Sequence, residues 1–303
     1  MDSERPAHGT ADLSSESMDE LRQLGYEYRG GRLLQVGNDK GFEFRDQQHY
    51  DLLADAVLGH VGALLVGEAK LTPVVVPLGA EKGPRSSVFV SEGFQAAEKL
   101  LLIIQGSGRV RVGVWGCALC INKDLDHGTM LPYLQKAKEQ NYGVIVLNPN
   151  DNSVERVPIP GSETADRHVA YVWEHFVSAQ CASTATVDIV AHSNGGRALL
   201  EFLARSPAAT SRIRHVVFTD SYHSPAQVSS LSAEPKALLA DPSRSVNYVP
   251  HSSPLGEAVS DWVSLGYQMN QAQKGCLCLS AAVVDHAATN HAALEPAFKF
   301  FAA

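Results

Sequence analysis

Hydrophobic positions along the 303-residue chain fall into two recurring patterns. One is the short unbroken apolar run: LLLIIQ at 100–105, GVIVL at 143–147, TVDIV at 186–190, RHVVF at 214–218 and CLCLS at 276–280. Runs of this length predict strands buried on both faces. The other is apolar spacing of three and four, which predicts helices at 49–65, 130–140, 165–178, 196–205 and 291–301. In the first of these the stripe is Leu52, Leu53, Val57, Val61, Leu64 and Leu65. Alternating buried strands and helices imply an α/β fold, with a mostly parallel central sheet covered by helices on both faces.

The N-terminal third is less regular. Residues 1–17 are rich in Ser, Asp and Glu and predict a disordered tail. From Met18, ELRQLGYEYRGGRLLQV predicts a short helix and a hairpin around Gly30-Gly31. KLTPVVVPL reads as a strand interrupted by prolines, hence an edge strand or an extended arm, and AEKGPRSS as a loop. With no repeat and no linker, residues 18–303 form one domain: an N-terminal extension over 18–95 and a core over 96–303.

Composition narrows the function classes. The net charge of −8 argues against a protein-wide phosphate-binding surface, so direct nucleic-acid binding is not expected. No contiguous apolar run approaches the ~20 residues of a membrane span, so no membrane partner is expected. The polar, acidic N-terminus is neither a signal nor a transit peptide, and five cysteines without an export signal point to reduced thiols in the cytoplasm, the nucleus or both. Cys117-x-x-Cys120 and Cys276-x-Cys278 lack a matching second CxxC and read as core residues, so neither metal nor cofactor is expected.

The candidate chemistry lies at Ala191-His192-Ser193-Asn194-Gly195, between strand TVDIV and an amphipathic helix. It reads as a G-x-S-x-G nucleophile elbow with alanine at the first small position. Such a turn strains the backbone at the serine, requires small neighbours and lifts Ser193 Oγ clear of the sheet. The backbone N–H of Asn194 is one candidate oxyanion donor, and the Gly106-Ser107-Gly108 loop after the first core strand supplies the other. In this architecture the orienting acid and then the base follow the serine in chain order. Asp220, directly after strand RHVVFT, is the favoured acid, with Glu257 and Asp261 as rivals. His286, in the loop after the last strand, is the favoured base, with His291 as its rival, and His223 is a possible lining residue.

Several stretches together resemble the argonaute-binding-protein-two (Arb-two) domain family. They are LGYEYRGGRLLQVGNDKGFEF, SSVFVSEG, INKDLDHGTMLPYLQKAKEQNYGVIVLNPNDN, IVAHSNGG, FTDS, SSPLG and DHAATNHAALEPAFKFF. That family includes animal cotranscriptional regulators and the C-terminal domain of certain fungal class II histone deacetylases. The resemblance implies an α/β-hydrolase-like fold with a serine retained at the elbow, here Ser193, and argonaute or chromatin proteins as partners. QGSGRVRVGVW at 105–115 is richer in glycine than the family pattern and closer to a working oxyanion loop.

Two functions are therefore expected to compete. One is a serine hydrolase of the esterase type, acting on a small-molecule ester or acylated substrate through Ser193, His286 and Asp220. The other is a catalytically silent interaction module in gene regulation. The first needs His286 within hydrogen-bond reach of Ser193, and the second an exposed apolar patch.

Overall fold

The structure, a computed structural model, describes the backbone of residues 10–303 and the side chains from residue 17 onward. Its core is one eight-stranded sheet. In chain order the strands are β1 (Leu71–Val76), β2 (Ser86–Ser91), β3 (Lys99–Ile104), β4 (Gly143–Val146), β5 (Thr186–His192), β6 (Ile213–Thr219), β7 (Ser245–Val249) and β8 (Leu277–Ser280). Across the sheet the order is β1-β2-β4-β3-β5-β6-β7-β8. β2 runs antiparallel to both of its neighbours, and every other pair is parallel.

The unbroken apolar runs are explained by two cores, one on each face of the sheet. Along β3, Leu100, Leu102 and Ile104 enter one core, where they meet Phe176, Leu199 and Phe202. Leu101 and Ile103 point the other way and meet Tyr133, Leu134, Phe298 and Phe301. Alternation by two thus splits a continuous run between both faces. The covering helices include α3 (Leu131–Glu139), α4 (Ala165–Val172), α5 (Asn194–Arg205) and α6 (Thr289–Phe301). The helix expected over 165–178 ends at Val172 and passes into a wider π-type turn at Trp173–Ser178.

The N-terminal segment differs from its sequence reading in three ways. The tail expected to be disordered lies outside the described residues over 1–9, but 10–17 belong to α1 (Thr10–Gln23). Leu21 of that helix is buried against Tyr26, Leu33, Leu53 and Val57, so a docked last turn supports the polar turns before it. Second, β1 and β2 lie before residue 96, so the sheet draws on the segment assigned to the extension; β1 is the edge strand its prolines suggest. Third, α2 (Gln47–Gly67) is long and apolar enough to cross a membrane by length and composition. Polar residues spaced along it hide this from a search for contiguous runs. Here it packs as a core helix through Leu53, Ala54, Val57, Val61 and Leu65.

One buried ionic cluster fixes the central strands together. Asp188 of β5 is 1% exposed and accepts hydrogen bonds from Tyr142 Oη at 2.6 Å and His215 Nδ1 at 3.0 Å, and pairs with Arg214. Burial pushes its pKa up, but hydrogen bonds from His215, Arg214 and Tyr142 outweigh this and hold it below the ordinary value. Asp188→Ala should lower unfolding free energy by about 3 kcal/mol, the low end for a broken buried pair because the Arg214 side chain is 34% exposed. An unchanged urea midpoint for the variant would contradict that role.

Candidate functional site

The carboxyl ends of β5 and β6 are neighbours in register, with Ala191 opposite Phe218 and His192 opposite Thr219. The next residue on each strand leaves extended geometry: Ser193 has φ 52° and Asp220 φ 45°. For non-glycine residues these are costly left-handed values, sustained only where the surroundings dictate them. The Ser193 N–H donates to Thr219 O at 3.1 Å, Tyr222 N–H to Ser193 O at 2.9 Å, and Asp220 N–H to Tyr248 O at 2.7 Å.

Close packing explains the small residues of the elbow. A Cβ on Gly195 would lie 2.5 Å from Ile104 O and 2.7 Å from Gln105 O, and one on Gly196 would strike Ser221 Oγ. α5 can therefore begin at Asn194 directly beneath the serine. Its first N–H groups, that of Asn194 included, have no partner one turn back within the helix. Gly106 follows β3 and lies against the elbow: a Cβ there would be 2.8 Å from Ser193 Cβ and 3.3 Å from Ser193 Oγ. Asn150 Nδ2 donates to Gly106 O at 2.7 Å and fixes this loop, while Ser107 is exposed. The loop thus meets the hydroxyl through Gly106, with Ser107 on the outside.

The acid and base expected from chain order are brought together across 66 residues. His286 Nδ1 donates to Asp220 Oδ2 at 2.5 Å. This bond places the proton on Nδ1 and leaves Nε2 as the free acceptor, the tautomer a general base needs. Of the rivals, Glu257 and Asp261 are exposed and Asp261 accepts from Ser260 Oγ at 2.8 Å, so neither orients the histidine. His291 lies in α6, stacked on His127 at 3.7 Å between ring centroids, with Nδ1 3.2 Å from Asp126 O. Among the described residues no hydrogen bond joins His286 to Ser193; the serine is 7% exposed, and the His286 ring lies 4.6 Å from that of His192.

Three supporting residues escape the sequence reading. Trp262 Nε1 donates to Asp220 Oδ1 at 3.3 Å and Ser264 Oγ donates to Oδ2, so with His286 the buried carboxylate has three donors. Both come from a hairpin formed by Asp261–Ser264 and Tyr267–Asn270. Its signal was the alternation of Trp262 and Ser264 with exposed Asp261 and Val263 ahead of Gly266. The third is Lys274, 1% exposed, whose Nζ donates to Ser221 O and His223 O at 2.8 Å each and so clamps the turn that follows Asp220. Burial pushes its pKa down. No local pattern marks this lysine.

His223 is a buried strut beside the site: its Nδ1 accepts from Ser221 Oγ at 2.7 Å and its Nε2 donates to Lys274 O at 2.8 Å. The two expected cysteine pairs are buried free thiols, and no group suited to a metal is found among the described residues. Cavities of about 470 and 910 Å³ lie elsewhere; neither is lined by Ser193, Asp220 or His286.

The strand order, the serine at the β5–α5 turn and the succession Ser193, Asp220, His286 define an α/β-hydrolase-type fold. Within that class the chain belongs to the Arb2 domain family, which matches residues 18–157 and 152–255. It is similar to the Gallus gallus protein named cotranscriptional regulator ARB2A homolog, 32% identical over 66% of this chain, and spans 63% of that protein's length. It is also similar to the Dictyostelium discoideum protein of the same name, 30% identical over 92% of this chain and 78% of the other. Among solved structures, a truncated carbohydrate esterase from gut microbiota shares 13% identity with a TM-score of 0.33, over 71% of this chain and 89% of that one.

Three buried histidines near the sheet make the fold acid-sensitive. Burial pushes His192 and His168 down to about 3 and His223 to about 4, with neighbouring His286 adding to the effect at His192 and Lys274 at His223. In the unfolded chain each binds its proton near 6.5, so between there and about 4 the unfolded state holds more protons than the fold. Stability should be complete above pH 6.5 and fall as pH drops, by up to about 1.4 kcal/mol per pH unit for each histidine. Equal urea midpoints at pH 7 and pH 5 would sink this account.

Proposed function

We propose that the chain is a serine hydrolase of the esterase type. The observation that carries this reading is the 2.5 Å His286–Asp220 hydrogen bond, formed beside a serine held at φ 52°. Ser193 Oγ attacks an ester carbonyl while His286 Nε2 takes its proton; Asp220 holds the Nδ1–H tautomer and stabilises the imidazolium. The backbone N–H of Asn194, with one from the Gly106 loop, receives the charge that develops on the carbonyl oxygen. His286 Nε2 then returns the proton to the leaving alkoxide, and water repeats the sequence on the acyl-enzyme. The Ser193–His286 hydrogen bond forms as substrate settles, since catalytic bonds in unliganded sites are commonly long.

A second reading is favoured by a different observation. Val263 on the outer face of the hairpin, Leu265 in its turn and Tyr267 at the start of its second strand are 58, 57 and 60% exposed, and Val284 beside His286 is 80% exposed. An apolar surface of this kind suits a protein partner. Together with relatives named cotranscriptional regulators, it supports an interaction module in gene regulation, with argonaute or chromatin proteins as partners in the nucleus or cytoplasm.

Fluorophosphonate labelling of the purified protein separates the two. For a hydrolase, wild type labels and Ser193→Ala and His286→Ala do not, while Asp220→Asn slows labelling by about 10³–10⁴-fold through the wrong tautomer. Ser264→Ala should reduce the rate more mildly, by about tenfold, because it removes one donor from the orienting carboxylate. Folded wild type that stays unlabelled rules out the hydrolase and leaves the interaction module.

A further inference from the structure

At the opposite end of the same strands lies a cavity of about 470 Å³ whose walls include Thr186, Ile213, Phe300 and three arginines, Arg212, Arg214 and Arg244. It sits at the amino-terminal ends of β5, β6 and β7, away from the elbow. Three arginines at one cavity stand out in a chain of net charge −8.

What holds these side chains differs from one to the next. Arg214 is paired with Asp188 and its charge is met. Arg212 is held by main-chain carbonyls: Nε donates to Ala185 O at 3.2 Å, Nη1 to Val177 O at 3.0 Å and Nη2 to Ala182 O at 2.7 Å. Arg244 is held the same way, Nε donating to Arg214 O at 3.3 Å and Nη2 to Ile213 O at 2.5 Å. Carbonyls fix a guanidinium plane without neutralising it. Among the described residues neither Arg212 nor Arg244 has a carboxylate ion pair. Asp241, whose carboxyl feels Arg244, is half-buried and accepts from Ser243 N–H at 2.9 Å and Ser243 Oγ at 2.6 Å.

Each guanidinium carries five N–H donors in a rigid fork. Arg212 commits three of them and Arg244 two to those carbonyls, so both retain donors. Thr186 lies in the same wall, and Phe300 and Ile213 supply an apolar side. Fixed guanidinium groups with no direct carboxylate ion pair suit a doubly charged oxyanion, because the ordering cost of the side chains is already met by the fold.

We propose that this cavity binds a small organic phosphate monoester, its phosphate on Arg212, Arg244 and Thr186 and its organic part against Phe300. The site is independent of the chemistry at Ser193. Free phosphate shares the charged contacts but not the apolar one, so a nucleoside monophosphate should bind more tightly than inorganic phosphate.

The test is titration of the full chain with inorganic phosphate, a nucleoside monophosphate and, at matched ionic strength, chloride, read by ¹⁵N chemical shifts and thermal denaturation. Expected are saturable shifts at the amides of Thr186, Ile213 and Arg244, a raised Tm with both phosphates, tighter binding of the monoester, and about tenfold or greater weakening in Arg244→Gln. Thr186→Val, which leaves the carbonyl clamps intact, should weaken binding without loss of fold. Should Arg244→Gln not fold, the wild-type shifts and Thr186→Val decide. Shifts absent, equal with chloride, or unaltered in both variants overturn the proposal. Equal affinity for the two phosphates overturns the organic half of it.

Discussion

Two strained residues on adjacent strands govern the carboxyl edge of this sheet. Ser193 and Asp220 both stand at positive φ, one place beyond residues that pair across β5 and β6. Each such residue costs about 1–3 kcal/mol and survives only if its surroundings over-determine it. Here they do. The main chain around Ser193 is tied to Thr219 and Tyr222, and the Asp220 N–H is tied to the end of β7. Glycines at 195 and 196 admit the backbone of β3 and the Ser221 hydroxyl where any Cβ would block them. The register of β5 against β6 therefore fixes the separation between hydroxyl and carboxylate before any side-chain contact is made.

The acid is then held directly, and the turn after it is clamped. The hairpin places Trp262 and Ser264 on its two oxygens, and Lys274 grips the carbonyls of Ser221 and His223. Alternation along Asp261–Ser264 also makes the hairpin two-faced. Trp262 and Ser264 face Asp220, and Val263 faces solvent on the other side, with the exposed Leu265 in the turn. Val263 on that outer face alternates with Trp262 and Ser264, the donors to the carboxylate that orients His286. The surface proposed for a partner and the chemistry proposed at the serine thus draw on one hairpin.

Legibility in the sequence follows the range of the interactions. The central strands could be read from runs such as LLLII, since burial on both faces leaves its mark within each strand. Ser193 was legible because the elbow's demand for small neighbours is met within three residues. Asp220 and His286 were legible as strand-end residues in chain order, although their rivals could be set aside only in three dimensions. Trp262, Ser264 and Lys274 act on residues 42, 44 and 53 positions away, and nothing in their own neighbourhoods requires it. The same limit explains the N-terminus. Polarity at 10–17 suggested disorder, whereas helix α1 is supported by Leu21 docking on residues that follow it in the chain.

The carboxyl edge costs the fold stability in several ways at once. It holds two left-handed non-glycine residues, a buried carboxylate and a buried ammonium whose contacts are carbonyls. A surface used only for docking requires none of these, since apolar residues on an unstrained loop would serve. Strain, a fixed tautomer and a satisfied carboxylate are together what a hydroxyl nucleophile requires. The exposed residues of the hairpin ask nothing of the backbone and could decorate any loop. The expensive part of the edge is the part built around Ser193, and this asymmetry favours chemistry at the serine over a surface role alone.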